Sequence, residues 1–246
     1  PLMMAVNGAI DDVRVYSRTL SAGAVAALAN GRGCVSPGST WGDAVPDLQC
    51  ALLEAAPGTE VWIGPGVYRP TLGPDRSATF AVGDGIGVYG GFAGGENTRE
   101  QRVAQTPQPV LSGDIQANDR VDAAGVLTDV TGLVGRNAFH VVSISSTLTS
   151  TLLEDVTITG GQADGVAGAI CGNGCGGGLA VTGGAPQLSR LRLIGNRAAA
   201  WGGALYADHS STQLIFSTLE ANLADRGGGG FWQGGAPLLA NSLLAG

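Results

Sequence analysis

The feature that most constrains this chain is a repeat near its C-terminal end. Gln187-Leu-Ser-Arg-Leu-Arg-Leu-Ile-Gly-Asn196 aligns with Gln213-Leu-Ile-Phe-Ser-Thr-Leu-Glu-Ala-Asn222 and with Leu238-Leu-Ala-Asn-Ser-Leu-Leu-Ala-Gly246, at spacings of 26 and 25 residues. Leu188, Leu214 and Leu239 share one slot, and Leu193, Leu219 and Leu244 share another. A glycine pair precedes each copy: Gly177-Gly178, Gly202-Gly203 and Gly228-Gly229. An earlier copy, Leu153-Glu-Asp-Val-Thr-Ile-Thr-Gly-Gly161, joins the frame if ten residues around Cys171 and Cys175 are an insertion.

A period near 25 built from short apolar stretches and glycine turns is solenoid spacing. The units are too short for propeller blades and too glycine-rich for repeats with a helix in every turn. A parallel β-helix fits, with two or three strands per turn and turns stacked about 4.8 Å apart. The two leucine columns then form inward ladders, and Asn196 and Asn222 stack at a bend, where Asn tolerates the left-handed conformation and pairs with backbone. The third copy stops one residue short of its own Asn, which leaves an uncapped edge. With the opening Pro1-Leu2-Met3-Met4, this reads as a piece of a longer polypeptide truncated at its C-terminal end.

Composition narrows function more by exclusion. Of 246 residues, 42 are Gly, and without a G-x-y period this means many tight turns rather than collagen. All 13 basic residues are Arg, which removes Schiff-base lysines and P-loops, and the formal charge of −7 argues against nucleic acid. No stretch reaches the roughly 20 apolar residues of a membrane helix, and no signal peptide is evident.

Residues 8–16 alternate like a half-buried strand, and Ser21 can cap a short helix over residues 22–28. This stretch resembles the C-terminal end of laminin-G-like, concanavalin-type jelly-roll domains. Residues 1–33 are therefore expected to be a remnant of such a domain plus a linker. Residues 34–246 are expected to form the β-helix. Thr40 is placed as the N-cap of a helix over residues 41–56 that covers the first turn. Strands are expected at 61–63, 80–82, 86–89, 110–111 and 139–143, each bounded by Gly, Pro, Asp or Asn.

Taken in order, Gly38-Ser-Thr-Trp-Gly-Asp-Ala44, Gly66-Val-Tyr-Arg-Pro70, Tyr89-Gly-Gly-Phe92 and Leu111-Ser-Gly-Asp114 resemble the entry region of bacterial right-handed parallel β-helix surface proteins. Gly202-Gly-Ala-Leu205 and Leu219-Glu-Ala-Asn222 are similar to the GGA[IL] and FxxN repeats of polymorphic outer-membrane proteins and adhesins, with Leu in place of Phe. The resemblance implies an all-β, pectin-lyase-like right-handed parallel β-helix with an N-terminal capping helix. It implies secretion or surface exposure, usually without a defined activity.

Catalysis is common enough on this fold to need a test. An inverting glycosidase needs two carboxylates roughly 6.5–9.5 Å apart. Asp164 and Asp225 share a slot but lie two turns apart, and no slot sets carboxylates on adjacent turns, so no catalytic residue is assigned. Asp114, Asp119 and Asp122, with Asp129, form the densest acidic patch. They offer oxygen ligands for Ca²⁺ but lack the order of an EF-hand, and a plain hydrated loop is the commoner reading; no other cofactor is expected. His140 sits in an apolar stretch as a packed or edge residue, and neither His140 nor His209 has a recognisable Ser or Cys partner. The extracellular resemblance favours disulfides, Cys171 with Cys175 and Cys34 with Cys50.

If Leu205 points inward, Tyr206 points out, with Phe231 in the same slot one turn on and Trp201 and Trp232 close by. Stacked outward aromatics suit a sugar ring or a partner surface, although they also stabilise a bare stack. The expected function is a non-enzymatic extracellular or cell-surface module for adhesion, glycan or matrix-protein binding, or a rigid stalk within a longer polypeptide. Two alternatives stand beside it: a polysaccharide lyase or glycoside hydrolase, and a subunit of an extracellular polymer that self-associates through open ends.

Overall fold

The computed structural model describes residues 38–45, 47–71, 73–102, 107–145, 151–166 and 171–245. The expected jelly-roll remnant at 1–33 and Cys34 lie outside the described residues. What is described is strand-rich, with parallel sheets and one short α-helix.

The helix is shorter than the sequence suggested. Thr40 opens only a 3-10 turn over Trp41–Asp43, with its backbone N–H and hydroxyl both donating to Asp43 Oδ1 at 2.6 Å. Ala44 then leaves the helical region (φ −56°, ψ 142°), and Pro46 disfavours helix at the residue before it. The α-helix, α1 (Leu48–Glu54), starts afresh on Asp47, whose carboxylate accepts from the Gln49 N–H at 2.8 Å. It buries Leu48, Cys50 and Leu52 and packs against the strand Phe80–Val82.

The strands follow a cycle. A first pass contributes β1 (Glu60–Trp62), β2 (Val67–Tyr68) and β3 (Phe80–Val82), and a second β4 (Gly87–Tyr89), β5 (Val110–Ser112) and β6 (Val142–Ser145). The third gives β7 (Leu152–Glu154), β8 (Thr157–Thr159), β9 (Gln162–Ala163) and β10 (Leu179–Thr182). The fourth gives β11 (Gln187–Ser189), β12 (Arg192–Ile194), β13 (Arg197–Ala198) and β14 (Leu205–Asp208). Then come β15 (Gln213–Ile215), β16 (Thr218–Glu220) and β17 (Gly230–Gln233), and finally β18 (Leu238–Ala240) and β19 (Leu243–Leu244).

Three parallel sheets collect one strand from each pass, except that the last pass adds to the first two sheets alone. The first orders β1-β4-β7-β11-β15-β18, the second β2-β5-β8-β12-β16-β19 and the third β3-β6-β10-β14-β17; β9 and β13 form a small fourth pair. The leucine ladders are real: Val61, Val88, Leu153, Leu188, Leu214 and Leu239 are successive register partners. So are Tyr68, Leu111, Ile158, Leu193, Leu219 and Leu244. Leu153, Leu188, Leu193, Leu214 and Leu219 are fully buried in one core with Phe80, Val142, Leu179 and Leu205 of the third sheet. Each such side chain contributes roughly 1.5–3 kcal/mol.

Several details differ from expectation. The strand placed at 139–143 is Val142–Ser145, because Val142 aligns with Phe80 and Leu179. Gly177 and Gly178 do not align with Gly202 and Gly203; the register sets Leu179 on Leu205, which brings Gly178 N–H to Gly203 O. The Asn pair does bond backbone, but the left-handed residue at that bend is the one before it, Gly160, Gly195 or Ala221. A second left-handed corner, between the first two sheets, is occupied by Asp155, Arg190, Phe216 and Asn241 (φ 50–56°).

Candidate functional site

Alternation along the third sheet turns residues 81, 143, 180, 206 and 231 to its outer face. Ala81, Ser143 and Ala180 are small, and then Tyr206 and Phe231 follow as register partners. The three aromatic rings of this face come together. Trp201 stacks on Phe231 at 5.0 Å, and Tyr206 lies 6.2 Å from Phe231 and 6.3 Å from Trp201.

Their accessibility is unequal. Tyr206 is only 5% exposed, under Trp201, Phe231 and the disulfide Cys171–Cys175. Its hydroxyl donates to Gln233 Oε1 at 3.0 Å, and burial raises its pKa, with Asp208 adding to the shift. Trp201 and Phe231 are half-buried and supply the open apolar surface. Trp232 does not belong to this face: it aligns with Ala207 and packs on the inner core, where its buried Nε1 has no partner among the described residues. Neighbouring strand positions face opposite ways, so Phe231 and Trp232 cannot share a surface.

The disulfide loop is anchored to this cluster by backbone. Gly176 N–H donates to the carbonyls of Trp201 and Gly202 at 3.0 Å. Gly176 is left-handed (φ 67°), and a Cβ there would meet Leu179 O at 2.9 Å and Tyr206 Cβ at 3.1 Å. Cys50 is also disulfide-bonded, while its expected partner Cys34 lies outside the described residues. His140 sits nearby with Nδ1 3.0 Å from Gly176 O, and desolvation lowers its pKa against the bonds it makes to Gly176, Asn173 and Cys175. His209 is exposed and pairs with Asp208 at 2.8 Å.

The acidic loop resolves into turn-building carboxylates. Asp114 accepts from the N–H groups of Asn118 (3.0 Å) and Asp119 (3.1 Å). Asp119 accepts from Val134 N–H and Asn137 Nδ2, both at 2.7 Å. Burial raises the Asp119 pKa, and the Asp114 charge pushes the same way. Asp122 stands apart and accepts from Ala124 and Val126 N–H at 2.9 Å; Asp129 accepts from Thr131 N–H. Ca²⁺ wants six to eight converging oxygens. Among the described residues no three His, Cys, Asp or Glu side chains gather to hold a metal.

The register pairs place no carboxylate beside another among the described residues, and Asp164 is held by Arg76 at 2.5 Å. The residue that sequence reasoning missed is Phe216, which is 59% exposed at a left-handed corner. Its aligned slot holds Arg190 and Asn241, so a polar position was visible in the repeat. No protein family, curated protein or solved structure matches this chain.

Proposed function

We propose that this chain is a right-handed parallel β-helix module that works outside the cell as a rigid adhesive scaffold, binding glycan or a partner surface through its outer faces. The observation that carries this reading is the fixed cycle of the strands through three parallel sheets, with each ladder in register across successive passes. Such stacking gives a stiff body with repeated outward positions and leaves the chemistry to surface side chains. The disulfides at Cys50 and Cys171–Cys175 support an oxidising compartment. The half-exposed Trp201 and Phe231 supply an apolar contact surface on one face.

The test is retention of the labelled protein on immobilised polysaccharides and matrix proteins. Retention that falls in Phe231→Ala and Trp201→Ala, with unchanged far-UV circular dichroism, supports the reading. Absence of retention on every surface overturns the adhesive function.

A further inference from the structure

We infer a second, separate binding site for a neutral hexose residue of a polysaccharide, on the outer face of the second sheet, with Phe216 as its platform. The inference rests on the glycan-facing reading above and gives it a ligand class. A concavity of about 390 Å³ opens here, lined by Gln108, Arg190, Arg192, Phe216, Thr218 and Glu220. That volume lies within the roughly 300–1,000 Å³ of small-ligand sites.

Phe216 is the anomaly. It is a bulky side chain at φ 51°, where only Gly and Asn sit comfortably, and its backbone is pinned there by Phe216 N–H to Ala240 O at 3.0 Å. The residue is 59% exposed, and its ring has no ring partner among the described residues. Asp155 and Arg190 occupy the same corner on earlier passes and spend their side chains on ion pairs. Among the described residues Phe216 thus combines a left-handed backbone with exposed apolar area that no ring contact covers. Strain of this kind gathers where a ligand is held.

The polar groups around the ring are organised but unspent. Arg192 Nε donates to Glu220 Oε1 at 2.8 Å, which fixes the guanidinium plane. Among the described residues its two terminal amino groups have no partner, nor do Glu220 Oε2 and the Thr218 hydroxyl. Gln108 closes one wall, held by Thr157 Oγ1 and by its own donation to Arg190 O. An aromatic face beside a fixed fork of donors and a free carboxylate oxygen matches the apolar face and vicinal hydroxyls of a pyranose. The charges here balance, with Arg102, Arg190 and Arg192 against Glu154, Asp155 and Glu220. No net positive field selects an anion, so the ligand is a neutral sugar rather than a uronate.

The experiment is affinity electrophoresis of the intact chain through gels containing a neutral β-glucan, a neutral mannan or a polyuronate. The expected result is retardation by a neutral polymer, weakened about tenfold in Phe216→Asn and in Arg192→Gln and unchanged in Leu53→Gln, a change on the exposed side of α1. Phe216→Asn also raises the thermal midpoint, because Asn relieves the left-handed strain, so lost binding cannot be lost folding. Retardation kept in Phe216→Asn but lost in Phe231→Ala overturns this site and leaves the scaffold reading standing. Retardation by the polyuronate alone overturns the ligand class. No retardation of the native protein in any gel overturns this site and the glycan-binding part of the reading above, and leaves binding to a protein surface to the matrix-protein arm of the retention test.

Discussion

Asn222 Oδ1 accepts two hydrogen bonds from Asn196 on the preceding pass, one from its backbone N–H at 2.9 Å and one from Nδ2 at 3.0 Å. Asn196 in turn reaches back, accepting from Gly161 N–H at 3.0 Å and donating to Ile158 O at 3.0 Å. Both amides are buried, so each link satisfies backbone that water cannot reach. Asn196→Ala leaves Gly161 N–H unpaired and removes a second bond from Ile158 O, which keeps its place in the strand ladder, and is expected to cost about 2 kcal/mol, at 1–3 kcal/mol for an orphaned group. Asn222→Ala is expected to cost less, because it lies nearer the exposed last strands. Urea unfolding of the two variants checks the order.

The corner glycines set a steric limit. A Cβ on Gly161 would overlap the carbonyl of Gly177, which is backbone of the neighbouring segment and cannot rotate away. Gly161→Ala is expected to cost about 3 kcal/mol or more. Gly95→Ala is the control: nothing lies within 4 Å of its Cβ position and its φ is not positive. Thermal unfolding of the pair should show a large drop in the first and little change in the second.

The repeat made the ladders legible because a 25-residue period repeats side-chain direction as well as type. Leu188, Leu214 and Leu239 announce one inner column without any knowledge of the turns between them. The start of α1 was not legible from Thr40, since a good cap with Asp43 three residues on says nothing about whether the helix survives Pro46. Trp232 read as surface because aromatics cluster in the sequence there, yet period two sends it inward beside Ala207. Phe216 read as one more apolar residue in an apolar run. The polar residues aligned with it, Arg190 and Asn241, mark its slot as outward, and the φ of its corner and its exposure separate it from Ile215 and Leu219.

Acid should loosen the fold in two stages. Burial holds the His140 pKa below its usual 6.5, so the unfolded chain binds that proton first and stability falls as pH drops through about 6.5. Glu96 is shifted in the same direction, by hydrogen bonds rather than burial. Its carboxylate accepts from Ala93, Gly94 and Gly95 N–H, which lowers its pKa from 4.5 to about 2. Its contribution is therefore intact above 4.5 and lost as pH falls from there toward 2. Urea midpoints followed from pH 8 to 3 should show both declines. His140→Gln should flatten only the first, and Glu96→Gln only the second.

The loop of residues 90–102 is fastened to the first sheet by charge. Arg102 bonds Glu154 at 2.6 Å and Asp155 at 3.0 Å, and Arg190 bonds the same two carboxylates from the next pass. Arg102 also lies over the rings of Tyr89 (5.7 Å) and Phe92 (5.5 Å), so its loss removes packing as well as charge. The two arginines differ in burial, with side chains 19% and 45% exposed. Removing Arg102 leaves Glu154 and Asp155 to share Arg190 alone in a poorly solvated place, whereas Arg190 is exposed enough for water to replace it. Arg102→Ala is therefore expected to cost about 3 kcal/mol and Arg190→Ala about 1 kcal/mol. Salt should separate them too. The Arg190 contribution is expected to shrink between 0.05 and 1 M NaCl, where the Debye length falls to about 3 Å, while most of the Arg102 contribution remains. Equal costs with equal salt dependence would show that the network is solvated throughout and does not fasten the loop.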